Sequence, residues 1–216
     1  MDLLLLAIDR SLHVVRERQQ VVYGVMSADF IELAAAGRVE VAGKRWSARI
    51  HVTDPRLTGD PLLDVALAAL AAARRAPDPV DWARQKLRQR VLDDYLAVLA
   101  AQGTVDLYSR RITRQITVTE AALLDPGRQA QVRERVDRFV VSGGPVEPLD
   151  WALAGLLYEC GLGEILYPGR ANRDAYGVLK EAARGDRGKG SGDPVDVAIR
   201  AGVRATRFGG NDGIGP

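Results

Sequence analysis

Two histidines, one cysteine and scattered carboxylates make up the catalytic stock of this 216-residue chain. His13 and His51 stand in short loop or strand contexts, and neither has a second histidine or a cysteine three or four residues on. No Gly-x-Ser-x-Gly elbow and no Cys-x-x-Cys pair occurs. Gly188-Lys189 invites a phosphate-loop reading, but that motif needs glycine at 183 and a hydroxyl residue at 190; the chain has Ala183 and Gly190. Asp93 and Asp94 are neighbours on a helix, so their side chains diverge by about 100° and suit a solvated face. No enzyme class is indicated, and no metal or cofactor is expected.

The arginines offer different chemistry. Arg16 and Arg18 sit in an early polar segment. Arg84, Arg88 and Arg90 crowd one stretch of a helix. Converging guanidinium groups can hold a phosphate through charge-assisted forks; the competing reading of helix arginines is a solvated face. A third cluster reads Tyr108-Ser109-Arg110-Arg111-Ile112-Thr113-Arg114, with apolar Tyr108 and Ile112 among three arginines. Near an anionic membrane each basic residue contributes about 1 kcal/mol. An ordinary soluble hairpin is the alternative.

Hydrophobic periodicity supplies the elements that must place these groups. Leu3–Ile8 reads as a short buried helix, and 9–20 as a loop with a turn or strand. Val25–Ala36 reads as a helix stopped by Gly37. Alternation over Arg38–Val41 and Arg45–Val52 predicts a hairpin turning at Ala42-Gly43, with Trp46, Ala48 and Ile50 on one face. Leu62–Ala73 is a helix, and a longer one is expected from Val80 to Gln102. Strands at Val105–Tyr108 and Ile112–Val118 enclose a turn at Ser109-Arg110-Arg111. Helices follow near 126–141, 146–161 and 171–183. Gly185–Gly192 reads as a flexible glycine and charge stretch, Val195–Thr206 as a last helix, and Phe208–Pro216 as disordered. The expectation is a mainly α, compact multi-helix domain over 1–184 with small β-hairpins, followed by a flexible segment, 185–216, with a final helix.

Bulk properties agree. The net charge is +2, with 30 basic and 28 acidic residues, too balanced to indicate a nucleic-acid binder by itself. A single cysteine excludes a disulfide within the chain. The leading apolar run is short and lacks a cationic start, so neither a signal peptide nor a membrane span is expected.

One stretch stands out: Thr58-Gly59-Asp60-Pro61-Leu62-Leu63-Asp64-Val65-Ala66-Leu67. Its physics is local. Asp60 suits an N-cap, Pro61 the first helical position, and Asp64 the positive end of the helix dipole. The stretch also resembles the signature of the Golgi phosphoprotein 3 family, which has a Thr-Gly-Asp, Leu-Leu-Asp, Ala-Leu pattern at a helix start. In order with it come Leu3–Leu6, then Phe30-Ile31-Glu32-Leu33-Ala34 with Gly37-Arg38-Val39, then Leu87-Arg88 leading to Gly103 and a hairpin. The resemblance covers about residues 2–182 and is closest to bacterial members.

The resemblance implies a helical fold with a peripheral hairpin. It also implies a cytoplasmic, peripherally membrane-associated protein that binds phosphatidylinositol 4-phosphate and acts as an adaptor for protein clients. It places the mid-chain headgroup arginines near Arg88 and Arg90, to which the clustering of basic residues adds Arg16, Arg18 and Arg84, and the membrane-facing hairpin at Tyr108, Arg110, Arg111, Ile112 and Arg114. The chain departs from the family pattern at two positions. The headgroup tryptophan has no counterpart, Tyr23 being the only aromatic between Arg10 and Phe30, and the first headgroup arginine falls near Met26. Two other functions compete. Helix 80–102 with its basic hairpin mimics a winged-helix nucleic-acid binder, although near-neutral charge and a core-directed stripe argue against one. A protein-only module that self-associates is the other.

Overall fold

The structure is a computed structural model describing residues 1–43, 47–84, 88–115, 117–143, 147–184 and 192–209. Its centre is a helix of modest sequence contrast. α1 (Asp2–Ala7) leads through the short paired strands β1 (Ile8–Asp9) and β2 (Val14–Val15) into α2 (Arg18–Ala35). Nearly every turn of α2 is buried, from Val21 to Ala34. Its end is a Schellman closure: Gly37, at φ +68°, donates to the Ala34 carbonyl and Arg38 to that of Leu33 at 2.8 Å.

The antiparallel strands β3 (Val39–Ala42) and β4 (Arg49–Val52) follow, pairing Val41 with Ile50. Ala48 and Ile50 are buried as the alternation required; Trp46 lies outside the described residues. Next come α3 (Pro61–Ala71), α4 (Pro79–Ala83) and α5 (Arg88–Ala101). The Asp60 side chain accepts from the Leu62 and Leu63 amides at 2.9 and 3.2 Å, as its N-cap position demands. Asp64 accepts from the Thr58 amide and hydroxyl, which hold its carboxyl below the usual range. Asp60→Ala is expected to cost about 1 kcal/mol in urea unfolding, the usual size of a lost cap.

The second half holds β5 (Val105–Arg111), β6 (Thr117–Leu123), α6 (Pro126–Ser142), α7 (Pro148–Glu159), α8 (Leu162–Leu166), a 3-10 turn at Arg170–Asn172, α9 (Arg173–Arg184) and α10 (Pro194–Gly209). α2 touches α1, α3, α4, α5, α7 and α10, and α10 lies along it most extensively. That approach needs glycine. A Cβ on Gly202 would stand 2.6 Å from Ile31 Cδ1, and one on Gly24 would stand 2.6 Å from Cys160 Sγ. Between the two helices Thr206 donates to the Ser27 hydroxyl at 3.0 Å. The result is the expected mainly α fold with two-stranded hairpins.

Several boundaries differ from the sequence expectation, among them the strand expected over Ile112–Val118, which runs instead from Thr117 to Leu123. α2 begins seven residues early, at Arg18, because its polar first turn carries no apolar signal and Glu17 offers no side-chain cap. The single helix expected over 80–102 is described as α4, closed at Arg84, and α5; residues 85–87 lie outside the described set. Ser109-Arg110-Arg111 belongs to strand β5 rather than to a turn, since Arg111 pairs with Thr117. The packing does not stop at 184: α10 buries Ala198, Ile199, Ala201, Val203 and Ala205 in the common core, and Phe208 is helical. The glycine stretch 185–191 and the tail 210–216 lie outside the described residues.

Candidate membrane-facing site

β5 and β6 leave the core together. Val105, Ala121 and Glu120 are buried at the base, whereas Tyr108 to Gln115 are all exposed. The hairpin therefore projects its basic tip clear of the helices. Arg111 and Arg114 have no acid partner among the described residues, and Ile112 is 48% exposed between them.

A second loop stands beside it. In the β1–β2 turn, Asp9 accepts from the Ser11 and Leu12 amides at 2.8 and 2.9 Å, which fixes a tight reversal. Those two bonds hold the Asp9 carboxyl below its ordinary value. The turn carries exposed Arg10, Leu12 and His13. The Tyr108 hydroxyl donates to the His13 carbonyl and ties this turn to the hairpin. The two loops together present Arg10, Arg111 and Arg114 with exposed Leu12, Tyr108 and Ile112 on one end of the fold.

Glu120 anchors this arrangement. It is 1% exposed and accepts from the Val15 amide at 2.9 Å and from Arg110 at 2.6 Å. Arg18 lies 3.7 Å away, donates to the Thr119 carbonyl at 2.7 Å, and reaches Asp93 at 3.2 Å. One carboxylate thus joins β2, α2, β5 and β6, while Arg18 adds α5. Glu120→Gln keeps the shape and removes the charge. Its expected cost is about 1–2 kcal/mol in chemical unfolding, in the range of a charge-assisted hydrogen bond.

The sequence-derived headgroup residues do not all converge. Arg18 joins the hairpin residues Arg110 and Tyr108 at the Glu120 anchor. Arg16 lies 3.7 Å from Asp9 at the edge of the same end. Arg84 donates to the Phe208 carbonyl at 2.6 Å, at the close of α10. The side chains of Arg88 and Arg90 lie outside the described residues, although their backbones open α5. Met26 is buried and its carbonyl accepts from the Trp82 indole at 3.0 Å, so this position belongs to the core. Sequence reasoning missed Arg10, Leu12 and Glu120. The turn-to-hairpin contact spans 95 residues, and a lone strand glutamate gives no signal.

Among the described residues no helix is long and apolar enough to cross a membrane, and no group of His, Cys, Asp or Glu could hold a metal ion. A family model described as Golgi phosphoprotein 3 (GPP34) matches residues 1–206. That match runs from α1 into α10. No curated protein matches the chain.

Proposed function

Because the chain belongs to the Golgi phosphoprotein 3 family, we propose that it is a peripheral membrane protein that binds anionic phospholipid and works as an adaptor, by binding rather than catalysis. One observation carries the reading. Two loops far apart in sequence are tied at Tyr108 and His13, and they gather exposed arginines and apolar side chains on one surface. Arginines attract the anionic leaflet, and Leu12, Tyr108 and Ile112 enter the interface shallowly. The family supplies phosphatidylinositol 4-phosphate as the preferred headgroup; of the sequence-derived arginines, Arg16 and Arg18 lie at this end, whereas Arg84 is held by the Phe208 carbonyl.

The nucleic-acid alternative meets a packing objection. α5 buries Leu92, Tyr95, Leu96 and Leu99, so this face is committed to the core and cannot lie in a groove.

Vesicle co-sedimentation tests the proposal. Neutral vesicles are compared with vesicles carrying generic anionic lipid and with vesicles carrying phosphatidylinositol 4-phosphate at matched charge. The expected result is binding to both anionic sets, stronger with the phosphoinositide. Equal binding to the two sets removes the headgroup preference, and binding to neither removes the membrane role.

A further inference from the structure

A cavity of about 580 Å³ opens among α1, α2, α6 and α7. That volume suits a small organic ligand. Leu3, Val25, Ile31, Phe139 and Leu153 line its apolar wall. Asp29 also lines it, although the residue is only 5% exposed. The Tyr95 hydroxyl donates to one Asp29 oxygen. The other oxygen has no hydrogen-bond partner among the described residues.

The sign of the cavity follows from its lining. Six carboxyl groups face three arginines and the Met1 amine. Arg135 is held at 2.8 Å by both Asp2 and Asp150. Arg128 donates to Gln102 and Thr104. Arg138 is exposed at the mouth. Asp60 caps α3, and Glu32 lies 3.7 Å from the Met1 amine. The second Asp29 oxygen, on a residue that lines the cavity, is open to accept from a donor cation.

We propose that this cavity binds a small organic ammonium ion, its cationic head on the free Asp29 oxygen and its apolar body along Val25, Ile31, Phe139 and Leu153. The pairing forms with the ionised group, so a bound cation opposes the burial that favours the protonated carboxyl. It also leaves Tyr95 in place as the donor that orients the carboxyl group.

Titration calorimetry on the full chain at about pH 8, above the value of about 7 to which burial raises Asp29, tests this with phenethylammonium, using phenethyl alcohol as the neutral isostere and 3-phenylpropionate as the anion. The ammonium ion is expected to bind about tenfold or more tightly than either. Asp29→Asn lowers ammonium affinity by about tenfold or more and leaves the alcohol unchanged. Ala28→Leu, which fills the cavity from α2, weakens both ligands. Circular dichroism confirms that each variant is folded. Equal binding of ammonium and anion, an unchanged affinity in Asp29→Asn, or no heat from the ammonium ion with the parent chain would each overturn the assignment.

Discussion

Asp29→Asn makes the fold more stable than the parent at about pH 8, and the difference grows by about 2–3 kcal/mol between about pH 5 and about pH 8. Burial pushes the Asp29 carboxyl up to about 7, against the lowering effect of the Tyr95 hydrogen bond. Glu32 and Asp60 push in the same direction as burial, and the amino terminus opposes it. The folded state therefore holds a proton that the unfolded chain has released. The stability this group contributes is complete below the ordinary carboxylate value and is lost as pH rises towards 7. Asparagine stays neutral and still accepts from Tyr95, so the variant lacks this slope. Asp9, Asp54 and Asp64 are shifted downward by their hydrogen bonds, so their contribution is lost only at acid pH, below this window. Urea unfolding of both chains across the range measures the effect. A difference that does not change with pH would mean that Asp29 is not held protonated.

Replacing Arg10, Arg111 and Arg114 together by Ser lowers partition onto anionic vesicles by about a hundredfold, from about 1 kcal/mol for each basic residue. The three are exposed and have no acid partner among the described residues, so the fold is expected to keep its stability. Arg110 is left out of the set because it pairs with buried Glu120. High salt weakens the parent towards the level of the variant. Co-sedimentation at two ionic strengths reads both effects. A variant that binds as the parent does would remove this surface from the account.

The helices that bury a regular stripe were legible in the sequence. α3 announced itself through Asp60, Pro61 and the Leu63, Ala66, Leu67, Leu70 pattern, and α2 announced its end through Gly37. The outer end of β5 was not legible, because Ser109 to Arg111 are exposed on both faces and show no alternation. Its register comes from partners across the ladder, such as Leu107 against the buried Ala121. The start of α2 was hidden for a related reason: Arg18, Gln19 and Gln20 have no apolar rhythm.

Site and sequence agree in the same uneven way. The arginines at 110, 111 and 114 were visible as a run. Their partner loop was not, because only the fold brings His13 to Tyr108. Asp29 had a readable signal: it lies four residues from both Val25 and Leu33, on the buried side of α2. A carboxyl group at that spacing calls for a buried partner, which Tyr95 supplies, and burial still raises it to about 7.

The most direct measurement attaches an environment-sensitive fluorophore to the hairpin tip through Ile112→Cys. Cys160 does not compete for the label, because it is fully buried and burial raises its thiol above the ordinary value, which leaves little thiolate to react. If the hairpin end meets the membrane, emission shifts to the blue on anionic vesicles and stays unchanged on neutral ones. Vesicle binding with no change at the label would contradict a hairpin-led encounter.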